Sequence, residues 1–158
     1  MEPTRIPDDY AKQTPRGRAI ATETVMNIVR TADLLLDQIG RLLRPLGVSP
    51  AGGLVLGLLR DHGPLSPSAL GDKLIVTRAT VTGVVDSLER RGYVERTPNP
   101  QDRRSLLIRL TPSGRKVLAE VRSIVHDHER DWMQEFTDEE LSSLIGALHR
   151  IQSVLSDS

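Results

Sequence analysis

The segment from Ser66 to Leu110 leaves this chain the least freedom: two short helix patterns joined by a tight turn run into a strand, an arginine-bearing loop and a second strand. Ser66-Pro67 opens the first helix. The serine is an N-cap whose hydroxyl can accept an orphan N–H, and proline at the first helical position has no N–H to leave unmatched. This helix covers Pro67 to Leu74. Thr77 then caps a second helix, and Gly92 stands where a left-handed residue usually ends one. Val81, Val84, Val85 and Leu88 gather on one side of that helix and must face a core. Tyr93 to Arg96 and Leu106 to Leu110 read as strands, the latter placing Leu106, Ile108 and Leu110 on one face. Between them the prolines and asparagine of Thr97 to Ser105 favour a turn, and the tip carries Arg103 and Arg104.

The side of the second helix opposite its valines is unusual. Ala79 and Gly83 point most nearly outward, flanked by Arg78, Thr80 and Thr82, so the surface near the N-terminus is small, hydroxyl-bearing and positive. Small residues let a helix backbone approach base edges, threonine hydroxyls reach phosphates or bases, and an arginine can pair with guanine O6 and N7. The bland alternative is an ordinary solvated face. The basic hairpin that follows weighs against it, because an arginine at such a tip can lie along a phosphate backbone or enter a narrow minor groove, with Asp102 orienting a guanidinium or merely neutralising it.

These residues carry a resemblance. Val76-Thr77-Arg78-Ala79-Thr80-Val81-Thr82, Leu88-Glu89-Arg90-Arg91-Gly92-Tyr93-Val94, and Asp102-Arg103-Arg104 followed by Leu110-Thr111 resemble the winged helix-turn-helix of the MarR family of bacterial transcription regulators over residues 65–112. The Asp-x-Arg signature and the trailing Leu-Thr are its more specific parts. The chain departs from the family pattern at Gly83, where a larger, often basic residue is usual. The resemblance implies double-stranded DNA as a partner, with Ser68, Thr77, Arg78, Thr80, Thr82, Asp102, Arg103 and Arg104 at the contact. It also implies a small-molecule effector, often aromatic or amphipathic, bound between dimerisation helices and the winged module. The lining residues of that pocket are not assigned, although Arg60 or His62 could meet a carboxylate.

The flanks read as long amphipathic helices. Val25, Ile28, Leu35 and their neighbours recur at steps of three and four up to Pro45–Ser49. A shorter helix runs from Ser49-Pro50 to His62-Gly63. Another starts at Thr111-Pro112 and carries Trp132, and Thr137-Asp138-Glu139-Glu140 is a capping box for a last helix with Leu144, Leu148, Ile151 and Leu155 on one face. A small middle module offers such faces too little to bury against. A homodimer is the simplest answer, and two-fold symmetry would set two recognition helices about 34 Å apart on a pseudo-palindromic operator. The expected fold is mainly α with a small β-hairpin wing. A flexible arm is expected over 1–18, a single domain over 19–158, the winged module at 49–112, and dimerisation helices at 19–47 and 113–157.

Net charge is zero, which alone argues against a nucleic-acid partner. Its distribution says otherwise: residues 73–116 hold 10 basic and 4 acidic side chains, and residues 117–158 hold 3 and 9. A basic middle is what phosphate neutralisation requires. With no cysteine there is no disulfide or thiol chemistry. No apolar run approaches the ~20 residues that span a bilayer, and Met1 to Arg18 lacks a signal-peptide core, so a cytoplasmic location is expected without a membrane partner. His126 and His128 point about 200° apart on a helix and cannot share an ion unaided, so neither a metal site nor a cofactor is expected. No phosphate-binding glycine loop, nucleophile elbow or cysteine nucleophile suggests an enzyme. The reading is a ligand-responsive regulator, a repressor rather than an activator. A winged-helix protein-interaction module and a metal-sensing regulator are the alternatives.

Overall fold

A computed structural model of the chain describes residues 4–74 and 78–156, with the side chains of Asp8, Tyr10, Ala11, Arg78, Asp102, Arg103 and Arg104 outside that description. The elements are α1 (Asp8–Gln13), α2 (Arg16–Leu43), α3 (Pro50–His62), α4 (Pro67–Leu74), α5 (Arg78–Arg90), β1 (Val94–Asn99), β2 (Asp102–Leu110), α6 (Pro112–Met133) and α7 (Asp138–Ser156). The fold is mainly α with one antiparallel hairpin, as the sequence predicts. It divides into two compact units, Met1–Val121 and Arg122–Ser158.

Local chemistry sets the helix ends. Ser49 Oγ accepts the Gly52 N–H at 3.0 Å to cap α3, and Ser66 Oγ accepts the Ala69 N–H at 3.2 Å to cap α4. At α7 the predicted capping box closes in both directions: Thr137 Oγ1 accepts the Glu140 N–H at 3.2 Å, while Glu140 Oε2 accepts the Thr137 N–H at 2.9 Å. Gly92, at φ 71°, turns the chain out of α5 and into β1, a conformation that L side chains rarely adopt. The segment expected to be an arm holds α1, and Asn27 Nδ2 on α2 donates to the Thr4 carbonyl at 2.9 Å.

The core of the first unit is aliphatic. Val55, Leu56, Leu70, Val81, Val85, Leu88, Val94 and Ile108 are all at most 2 % exposed, and each such side chain stabilises the fold by about 1.5–3 kcal/mol relative to exposure. Val84, from the predicted apolar stripe of α5, is half-buried. Leu106 shares a face with Ile108 and Leu110 yet is 46 % exposed, because it pairs with Pro98 toward the hairpin tip.

Two strand features exceed the sequence reading. The hairpin ladder extends to Asn99 and Asp102, leaving Pro100 and Gln101 as the turn where a nine-residue loop was expected. Asn99 bridges this end, its Oδ1 accepting the Gln101 N–H at 3.0 Å and its Nδ2 donating to Ser105 Oγ at 2.9 Å. Pro98 is tolerated in β1 because a two-stranded sheet has free edges. Leu65, between α3 and α4, also pairs with Ile108 through reciprocal hydrogen bonds of 3.1 and 2.8 Å, which ties the helix-turn-helix to the hairpin.

The passage from hairpin to α6 is the tightest point in this unit. The Thr111 N–H donates to the Tyr93 carbonyl at 3.1 Å, and the Thr111 hydroxyl donates to the Gly92 carbonyl at 2.6 Å while accepting the Gly114 N–H at 2.9 Å. A Cβ on Gly114 would stand 1.9 Å from the Tyr93 carbonyl oxygen and 2.8 Å from Leu110 Cδ1. Gly114→Ala should therefore destabilise the protein by at least about 1–3 kcal/mol. Urea unfolding should show a lower midpoint at unchanged slope, and an unaltered midpoint would contradict this account of the joint.

Candidate nucleic-acid interface

Helix α5 presents the surface its sequence predicts. Val81, Val85 and Leu88 are buried, while Ala79, Thr80, Thr82, Gly83, Asp86 and Arg90 are exposed. A Cβ built on Gly83 meets nothing within 4 Å, so the helix surface there is open. Of the other sequence-predicted residues, Ser68 is exposed on the first turn of α4. Thr77 lies outside the described residues. Arg78 opens α5, and Asp102, Arg103 and Arg104 open β2, but their side chains also lie outside the description. The first unit thus holds α4, α5 and the hairpin together.

Arg96 on β1 makes a contact that the sequence reading missed. Its guanidinium pairs with Asp86 at 2.5 Å and with Glu89, both on α5. The hydrogen bond to Asp86 raises the Arg96 pKa above its ordinary value, with burial opposing and the charges of Glu89 and Asp86 adding to the rise. The brace fixes the hairpin against the helix that carries Thr80 and Thr82. Its signal was present in the sequence: Asp86 and Glu89 stand three apart on one helix face, close in sequence to an arginine in the next strand.

This brace also shapes the field. Of the four acidic residues in 73–116, Asp86 and Glu89 engage Arg96, and Glu95 lies 4.0 Å from Arg109 on the facing strand. Much of the local negative charge is thus engaged inside the module, which leaves the basic surplus to its surface.

A family model described as the MarR family matches residues 48–106, from just before α3 to the middle of β2. Residues 48–106 are a MarR-family domain. Sco5413, a MarR family transcriptional regulator from Streptomyces coelicolor, superposes with a TM-score of 0.77 at 26 % identity, covering 87 % of this chain and 96 % of that one. A mutant MarR from E. coli, solved in complex with operator DNA, superposes with a TM-score of 0.73 at 26 % identity, covering 92 % and 99 %. A putative transcriptional regulatory protein for the hcr operon of Thauera aromatica is 33 % identical over 105 residues, which cover 66 % of this chain and 63 % of that protein. The match thus spans less than two thirds of that relative. In the winged-helix fold shared with these structures, α4 and α5 are the helix-turn-helix pair and the β1–β2 hairpin is the wing.

His128 is engaged within its own helix. His128 Nδ1 donates to the Ile124 carbonyl at 2.8 Å, and its ring lies 6.1 Å from that of Trp132. Among the described residues no group of three His, Cys, Asp or Glu side chains could hold a metal ion.

The brace yields a test. Arg96→Gln removes the charge but keeps a polar side chain. Because both carboxylates stay within reach of water, ion pairs of this type add little to stability, and the unfolding midpoint should change only slightly. If α5 and the wing bind DNA together, affinity for duplex DNA should fall about three- to tenfold, since the wing is no longer held against α5. Equal affinity in a fluorescence-anisotropy titration would show that the Arg96 brace does not position a DNA-binding surface.

Proposed function

We propose that this protein is a ligand-responsive transcriptional regulator that binds a pseudo-palindromic operator as a homodimer. The observation that carries the reading is the MarR-family recognition helix, with its small and hydroxyl-bearing face exposed, braced through Arg96 to a wing whose tip holds paired arginines. Thr77, Arg78, Thr80 and Thr82 contact the major groove and its phosphates, and Ser68 contacts a phosphate. Arg103 and Arg104, oriented by Asp102, contact the backbone or the minor groove beside the wing. The E. coli MarR mutant solved with operator DNA supports this assignment.

Exposed apolar side chains support the homodimer. On α2, Val25 and Val29 are 60 % and 55 % exposed, with Ile28 and Leu35 half-buried. On α7, Leu144 and Leu155 are 50 % and 71 % exposed, with Leu148 half-buried beside Ile151. Faces of this kind mark contacts with another chain, and a second copy gives each helix a partner. In this reading residues 19–47 and 113–157 are the dimerisation helices, Trp132 included, and 49–112 is the DNA-binding module. We assign a repressor role, because occluding a promoter needs no further surface, and a cytoplasmic place beside the chromosome. A small-molecule effector releases DNA by binding the DNA-incompetent arrangement more tightly than the competent one.

Selection of bound duplexes from a random library should enrich a pseudo-palindrome. The Arg103→Ala/Arg104→Ala variant should bind more weakly, and its salt slope should be shallower by about 2 if both arginines contact phosphate. No enrichment at low salt would overturn the DNA-binding reading in favour of a protein-interaction module. In a second test, Leu144→Asp/Leu155→Asp should sediment as a monomer and lose at least about 100-fold in affinity for the full operator. An unchanged sedimentation coefficient would remove α7 from the dimer contact.

A further inference from the structure

The C-terminal end of α2 is finished by residues from a distant turn. After Leu43 the chain makes one tight turn, Arg44–Leu46, and Gly47 at φ 65° closes it. The Gly47 N–H donates to the Arg44 carbonyl at 2.9 Å and the Val48 N–H to the Leu43 carbonyl at 3.3 Å. This Schellman arrangement satisfies two of the carbonyls that a helix end leaves without a partner. The Leu46 carbonyl is met from outside the helix. It accepts the Tyr93 hydroxyl at 3.0 Å, across 47 residues of sequence. Arg91 lays its guanidinium on Gly47 so closely that a Cβ there would overlap Cζ and both terminal nitrogens. Gly47 is thus needed twice, for its left-handed backbone and for the bare face that takes the arginine.

Arg91 and Tyr93 flank Gly92, whose φ of 71° ends α5, so the turn that closes α5 also caps α2. A cation at a helix C-terminus meets the negative end of the helix dipole, and a hydroxyl there takes an otherwise unmatched carbonyl. The surrounding contacts are aliphatic. Leu43, Val48 and Leu88 are at most 3 % exposed, and a Cβ on Gly52 of α3 would meet both Val48 and Leu88. Packed aliphatic surfaces slide past one another in shear motions, whereas a hydrogen bond to a carbonyl constrains direction. The lever is long. Thr80 stands ten residues before Arg90, about 15 Å along α5, so a swing of about 10° at the cap displaces it by about 3 Å.

We propose that Arg91 and Tyr93 are positioning residues for operator binding: they carry the direction of α2 to α5, and in the homodimer they fix how far apart the two copies of α5 stand. This role presupposes the homodimeric DNA-binding reading above and names the residues that set its geometry. Neither residue touches DNA in it, since both lie at the opposite end of α5 from Arg78, Thr80 and Thr82. Because the exposed apolar face of α2 is assigned to the dimer contact, a tilt of α2 against its partner reaches α5 through this cap. A half-site displaced by one base pair is turned by about 35° around the duplex, and a rigidly held α5 cannot follow it.

The test uses the full-length protein and its Tyr93→Phe, Arg91→Gln and doubly substituted forms. Tyr93→Phe keeps the ring and removes one hydroxyl, which guards against a folding defect in the double variant. In the free protein, amide hydrogen exchange at Gly47 and Val48 should quicken at least about fivefold in the double variant, while Val85 and Leu88 in the core of α5 keep their native rates. Binding is then measured on the duplex enriched by selection, on its isolated half-site, and on duplexes with one base pair inserted or deleted between the half-sites. The native protein should prefer the enriched spacing by at least about 30-fold. The double variant should bind the half-site as the native protein does, lose about tenfold on the full duplex, and discriminate among spacings by about fivefold or less, with Tyr93→Phe in between. An equal loss on the half-site would mean that these residues touch DNA or hold the module itself together. An unchanged spacing preference, or unchanged exchange at Gly47 and Val48, would mean that the cap does not govern α5. Each of these results overturns the proposal while operator binding stands. A native protein that binds no duplex overturns the homodimeric reading and this role with it.

Discussion

The joint at Thr111 is the constraint on which the winged module depends. One hydroxyl there donates to the Gly92 carbonyl and accepts the Gly114 N–H, so the end of α5, the start of the wing and the first turn of α6 meet at a single side chain. The absence of a side chain on Gly114 lets the helix backbone press against the Tyr93 carbonyl. Tyr93 extends the same contact in the other direction, its hydroxyl donating to the Leu46 carbonyl at 3.0 Å. The exit from α2, the wing and α6 are thereby referred to one another by short hydrogen bonds rather than by apolar packing alone, and directional bonds fix angles more tightly than packing does.

What could be read in advance followed from interactions close in sequence. Helix limits came from caps, prolines and Gly92, whose effects act within a turn, and the Ser49, Ser66 and Thr137 caps are all present. The buried stripe of α5 came from periodicity, which depends only on helix geometry. Contacts between segments were harder. The pairing of Leu65 with Ile108 joins segments far apart in the chain and leaves no periodic trace, since a single bridge needs only one residue in extended conformation. The wing strands outran their predicted ends because Asn99 completes a tight turn with its own side chain, while Pro98 and Pro100 read as loop residues. For the site, the exposed face of α5 was visible as composition. The Arg96 brace left only a spacing, Asp86 and Glu89 three apart on α5, and which arginine answers it depends on the way the wing folds back.

Charge acquires two roles within one module. Asp86, Glu89 and Glu95 sit in the segment richest in arginine, and a reading from composition counts them as dilution of a basic patch. In the fold, Asp86 and Glu89 hold Arg96, and Glu95 stands across from Arg109. The acidic residues fix the geometry of the elements that present the remaining positive charge. A protein of zero net charge can in this way carry a locally basic face while its C-terminal segment, with 3 basic and 9 acidic residues from 117 onward, favours solubility.

The empty space outside Gly83 bears on how such a module diverges. The fold asks nothing of that position: no neighbour lies within reach of a Cβ, and the residue is on the exposed side of a helix fixed from its other side. A glycine in mid-helix even lowers helix stability by about 1 kcal/mol relative to alanine. Almost any replacement would be accepted by the structure, and a longer one would project from the same surface as Thr82. Descendants of this chain could change what that surface presents through a single codon, without first acquiring a compensating change in the core.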